Sequence, residues 1–140
     1  MPFEETSVIT ARDLIGKTLE TRLGDKFTIS GTKAYLGDSK QTKNKGIYEN
    51  GQIMMFNMRG YLHTCVSTGD DEDRDYVLIH KLIDGTDKIT SASKVSEILG
   101  MQMQDDGENY EAFFTVYGAT NESTMNGNDD ASTCIAEFNL

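Results

Sequence analysis

The sequence predicts a mainly-β domain of about seven short antiparallel strands, closed or half-closed into a barrel, with a single multi-turn helix late in the chain. Three observations carry this. Apolar residues alternate over short runs, as in Met54, Phe56 and Met58 against Ile53 and Met55; turn pairs such as Gly24-Asp25, Asn50-Gly51, Arg59-Gly60 and Asp84-Gly85 punctuate them; and strand patterns do not alternate regularly with helix patterns, as a parallel α/β sheet requires.

The elements follow in chain order. Thr10 to Gly16 has the makings of one helical turn, with Thr10 as cap, Asp13 at the capping-box position and Ile9 with Leu14 as a hydrophobic staple. Leu19 to Leu23 and Lys26 to Ser30 form a hairpin through Gly24-Asp25, and Phe27 and Ile29 point inward. Lys33 to Asn50 is polar and suits a long hairpin or loop whose first arm holds Tyr35. Gln52 to Met58 and Tyr61 to Ser67 are central strands joined at Arg59-Gly60, and Tyr76 to Ile83 is a third apolar strand after an acidic loop. Ile89 to Ser91 leads into a helix over Ala92 to Leu99, capped by Ser91 and stopped by Gly100. Tyr110 to Tyr117 and Thr133 to Phe138 complete the strands around a polar loop.

A chain of 140 residues fits one domain, spanning 1–140, with residues 1–6 flexible and polar loops at about 37–50, 68–75 and 118–132. Its start has neither a basic nor an apolar signal region, and no apolar stretch is long enough to span a bilayer, so a cytoplasmic setting without membrane contact is expected. Cys65 and Cys134, far apart and outside any CxxC pair, read as reduced core thiols. The net charge of −10 is unevenly distributed: residues 1–60 carry nine Lys/Arg against seven Asp/Glu, residues 61–140 four against sixteen.

No catalytic constellation, cofactor motif or small-molecule site is legible. Phosphate-loop, dinucleotide, nucleophile-elbow and zinc-protease patterns are all missing. His63 and His80 fall on strands, grouped by alternation with Tyr61 and Cys65 and with Tyr76, Leu78 and Leu82 respectively. With Cys65 and Cys134 they lack the paired close spacing of structural zinc sites. Asp70 to Asp75 and Asn126 to Asp130 resemble calcium loops in composition but not in ligand order.

Between Lys33 and Tyr61, however, Lys33, Lys40, Lys43, Lys45 and Arg59 interleave with Tyr35, Tyr48, Phe56 and Tyr61 against only Asp38 and Glu49. Cations that follow a phosphate chain and rings that stack on unpaired bases are what sequence-tolerant single-strand binding needs. Lysines on a hairpin also blunt a sheet edge, and that plainer role stays open.

Four segments, in order, resemble the small bacteriophage-type single-stranded-DNA-binding proteins: Asp13-Leu14-Ile15-Gly16-Lys17, a strand with Phe27 and Ile29, Tyr48-x-x-Gly51 running into Ile53 to Phe56, and Ile89 to Val95 leading into the helix. The resemblance implies an OB-like, partly closed antiparallel barrel of about five to seven strands with one short helix. It also implies a non-enzymatic groove for single-stranded DNA or RNA that includes Lys33, Tyr35, Lys40, Lys43, Lys45, Tyr48, Arg59 and Tyr61, with Lys94 a weaker addition. A homo-oligomer and a host-cell cytoplasmic location would go with it. Two alternatives stand beside it: a structural component of a virion, and an acidic mimic of DNA that inhibits a host protein.

Overall fold

The computed structural model describes residues 2–36, 48–68, 75–127 and 134–140. Among them are nine strands in one antiparallel sheet: β1 Thr18–Thr21, β2 Lys26–Tyr35, β3 Ile53–Met58, β4 Tyr61–Thr68, β5 Asp75–Asp84, β6 Asp87–Ile89, β7 Phe114–Tyr117, β8 Thr124–Gly127 and β9 Cys134–Asn139. Two α-helices, α1 Ser7–Leu14 and α2 Ala92–Ile98, accompany them. The sheet is mainly β as expected, but its path runs from β3 to β7 without closing, and it has more strands and one more helix than anticipated.

Two ten-residue strands, β2 and β5, form the axis. They pair antiparallel from Thr28↔Ile83 to Tyr35↔Tyr76, and each changes its second neighbour partway. β2 pairs with β1 through Lys26, Phe27 and Thr28, then with β9 from Gly31 onward. β5 pairs with β4 from Asp75 to Leu78 and with β6 from Leu82 to Asp84. The result is two half-sheets sharing a spine, β3-β4-β5-β2-β9-β8 and β6-β5-β2-β1-β7.

Where the halves meet, the register slips twice, so that Ser30 of β2 and His80 of β5 are unmatched extra residues. Each extra residue reverses the alternation beyond it. Along β2 the outward positions are therefore Lys26 and Thr28 before the slip and Lys33 and Tyr35 after it, while Ile29 and Ala34 both lie in the core. On β5, Val77, Ile79 and Leu82 face the core. Leu82 thus leaves the face that simple alternation assigns it with Leu78 and His80. Gly31 is required at this crossing, since a Cβ there would stand 2.7 Å from the Lys81 Cβ.

The inner face carries the row Ile53–Val66–Val77–Ala34–Ala136, all buried. Both helices pack on this side: the Thr32 hydroxyl donates to the Ala11 carbonyl at 2.7 Å, and Val95 and Leu99 of α2 join the same cluster. Helix α1 begins earlier than the sequence suggests because Thr6, not Thr10, caps it, accepting from the Ile9 N–H. Within the first six residues, expected to be flexible, Phe3 is buried edge-on against Tyr110, their centroids 4.7 Å apart. Ser91 caps α2 as expected. Tyr110–Ala112 is a 3₁₀ turn, so the late strand starts only at Phe114, and part of the expected 118–132 loop is β8. Among the described residues no helix is long and apolar enough to cross a membrane.

Candidate nucleic-acid interface

The outer face of the same sheet, opposite the core that α1 covers, changes character from one half to the other. In the β3-β4-β5-β2-β9-β8 half, the cross-strand row is Met54–Cys65–Leu78–Lys33–Glu137–Asn126. Rings converge above it. Tyr35 stacks on Tyr76 with centroids 4.8 Å apart and planes 3° apart, Phe56 meets Tyr76 edge-on at 6.3 Å, and His63 stacks on Phe56 at 5.5 Å. Tyr76 and Phe56 are buried, Tyr35 and His63 partly exposed. Burial, reinforced by the neighbouring Cys65 and Cys134 thiols, raises the Tyr35 pKa, so its hydroxyl stays protonated.

The ring series continues outward along the β3–β4 hairpin. Met58 pairs with Tyr61, and Tyr61 is 61% exposed. Arg59 and Gly60 form the two-residue tip with φ of 54° and 84°, the left-handed pair that a type I′ turn demands. Against this hairpin, Ser91, Ala92 and Ser93 at the start of α2 close a groove of about 330 Å³ with Tyr61 and His63.

In the β6-β5-β2-β1-β7 half, the corresponding row is Lys88–Ile83–Thr28–Thr18–Tyr117. Two grooves adjoin across Ile83. One, of about 350 Å³, is bounded by Ser30, Lys81, Lys88, Thr90, Asn139 and Leu140; the other, of about 370 Å³, by Lys26, Thr28, Thr18 and Tyr117. The Lys81 Nζ donates to Asn139 Oδ1 at 2.9 Å and lies 3.8 Å from Glu137 Oε1. The Tyr117 hydroxyl donates to Glu20 Oε1 at 2.8 Å, and this bond raises its pKa.

His80 stands where the two halves join. It is 7% exposed, and its Nε2 lies 3.5 Å from Glu137 Oε1 without hydrogen-bond alignment. Burial, with Lys33 nearby, pulls its pKa down to about 4 against the opposing pull of Glu137. The imidazole is neutral at neutral pH, and the positive charge here belongs to Lys33 and Lys81.

Of the residues singled out from sequence, Lys33, Tyr35 and Tyr61 share the outer face, with Arg59 at its tip. Tyr48 does not serve as a platform: it is 4% exposed, and its hydroxyl donates to the Asp106 carboxylate at 3.0 and 3.1 Å. Burial, then that hydrogen bond, raises its pKa. Lys40, Lys43 and Lys45 lie outside the described residues, as does most of the acidic 70–75 loop. Lys94 is exposed on α2.

Sequence reasoning missed Lys26, Lys81, Lys88 and Tyr117. No strand periodicity could have assigned Lys81, because the doubled residue before it breaks the alternation. Cys65 and Cys134 are both buried thiols on strands separated by β5 and β2, about 14 Å apart at ordinary strand spacing and beyond disulfide reach. Among the described residues no group of three His, Cys, Asp or Glu gathers in metal-binding proximity. No known family and no curated protein matches this chain.

Proposed function

We propose that this protein binds single-stranded nucleic acid, DNA foremost, along the outer face of its sheet and without catalysis. One observation supports this above the others: the paired register slip at Ser30 and His80 turns Lys26, Lys33 and Tyr35 of β2, and Lys81 of β5, toward one side of a protein whose net charge is −10. Lysines on one face can follow a phosphate chain and release its counterions, while the exposed Tyr61 ring and the partly exposed Tyr35 offer faces to unpaired bases. Lys40, Lys43 and Lys45 belong to the proposal through their place in the sequence between β2 and Tyr48. The OB-like barrel of the family resemblance belongs to it too, but binding on this face does not depend on closure.

A labelled oligo-dT titrated across a salt series tests it. Affinity is expected to fall steeply with salt, and each lysine removed from the track, as in Lys33→Ala, to lower the logarithmic slope by about 0.7. Tyr61→Ala is expected to cost about 1–3 kcal/mol with the slope unchanged. Failure to bind at low salt removes the proposal.

One observation favours the structural role as a second reading: all four residues of β8 are exposed, and among the described residues that strand pairs only with β9. Such an edge can recruit a strand from another chain. Particles or filaments in negative stain, with no oligonucleotide binding, would decide for it.

A further inference from the structure

The two grooves that adjoin at Ile83 lie in the lysine half, away from the hairpin that carries Arg59 and Tyr61. Their ends differ in chemistry. One presents the Lys81 and Lys88 ammonium groups with the Ser30 and Thr90 hydroxyls and the Asn139 side chain. The other presents the ring of Tyr117, 44% exposed, whose hydroxyl is held by Glu20, the residue opposite Lys26 in the strand register. Ile83 is the apolar floor between them.

Size decides what can use both ends. Lys88 and Tyr117 sit in one cross-strand row with three strands between them, four spacings apart, or about 19 Å at about 4.8 Å each. A single mononucleotide cannot reach from the lysines to the ring. A strand advancing about 3.4 Å per nucleotide would place at most about five units over that distance, and fewer when unstacked. Of the three side chains in between, Ile83 is apolar and Thr28 and Thr18 are short and hydroxylated, so the two threonines offer hydrogen bonds without a base code.

We infer that this cleft is a discrete subsite for a short oligonucleotide segment lying across β6-β5-β2-β1-β7, with a backbone phosphate held at Lys81 and Lys88 and a base stacked on Tyr117. The inference rests on the single-strand reading above and adds where a minimal ligand sits and which way it runs. The strand crosses the β-strands at a right angle; longer ligands continue past Lys33 toward Tyr61 and Arg59. The Glu137 and Glu20 carboxylates flank this path, each already engaged by a lysine or tyrosine, which limits the repulsion they exert on a phosphate.

The test uses the whole protein, a five-nucleotide oligo-dT, a long oligo-dT several times that length, and thymidine monophosphate as the free-nucleotide probe. The short oligonucleotide is expected to bind and to shift the backbone amides of Ser30, Ile83, Lys88 and Thr90. Lys88→Glu should weaken it at least about tenfold, and Tyr117→Ala about five- to hundredfold. Tyr117→Phe, which keeps the ring, should retain most of the binding. Arg59→Ala should weaken only the long ligand, and Arg12→Glu, the same change of charge on α1 across the sheet, should alter neither by more than the general loss of positive charge. Thymidine monophosphate should bind far more weakly than the short oligonucleotide. Equal binding by the mononucleotide, or amide shifts confined to the β3–β4 hairpin, would overturn the subsite. Should the long oligo-dT bind with full affinity to the Lys88→Glu and Tyr117→Ala variants, the subsite falls and single-strand binding stands; should no oligonucleotide of either length bind, both fall.

Discussion

The two halves of the outer sheet face use the same two strands for opposite ends. In the ring half, β2 and β5 present Tyr35 and Tyr76, which stack on each other, and Tyr76 also meets Phe56 edge-on and is buried by the fold. In the lysine half the same strands present Lys26, Thr28, Lys81 and Ile83, which line open grooves. The register slip at Ser30 and His80, which resets which side chains face outward, is the line between them. Tyr76 in one half is therefore structural, and Tyr117 in the other is available.

The sharpest way to break this contrast is to remove one ring from each half. Tyr76 is nearly fully buried between Tyr35 and Phe56, so Tyr76→Ala should cost about 3–5 kcal/mol by urea denaturation. Tyr117→Ala removes an exposed ring and an exposed hydrogen bond, and should cost no more than about 1 kcal/mol. Similar losses at the two positions would erase the distinction between a packed and an open half.

The boundary itself can be probed by pH. His80 has a folded-state pKa of about 4, below its unfolded value of about 6.5, so the unfolded chain binds the proton more readily. The stability that comes from keeping this ring neutral is complete above pH about 6.5, is lost as pH falls toward about 4, and changes no further below that. The whole loss is about 3 kcal/mol, and His80→Gln should flatten the wild-type profile over that window by a comparable amount. An NMR titration that finds the His80 ring protonating near pH 6.5 in the folded protein would contradict the burial argument.

A smaller effect is expected where the strands cross. Gly31→Ala brings a Cβ against the Lys81 stem, so β2 and β5 must separate locally at a cost of about 1–3 kcal/mol. Because the displaced residue is Lys81, short-oligonucleotide binding should weaken together with stability. Loss of stability with binding intact would show that the slip and the lysine track are independent.

Much of the architecture was legible in the residues because it depends on local rules. The β3–β4 hairpin followed from alternation and Arg59-Gly60, and α2 from Ser91 and Gly100, with ends within a residue of those expected. Tyr61, His63 and Cys65 also share a face, as their spacing requires. Other features depended on partners distant in sequence. Tyr48 looked like a stacking ring until Asp106, 58 residues on, took its hydroxyl. Phe3 looked like part of a loose terminus until Tyr110 covered it. Lys81 and Lys88, from the acidic second half of the chain, also reach the outer face, which no charge count along the sequence records.

The sequence by itself determined a mainly-β chain, its central strands and their turns, because alternation and turn chemistry are short-range properties of the backbone. Only the tertiary structure decided that the sheet stays open along its described path, that β2 and β5 form its spine, and that lysines from both halves of the chain share a side. A register slip reverses every side chain beyond it, and its position is set by how two strands remote in sequence cross at Gly31, which no single strand's pattern records.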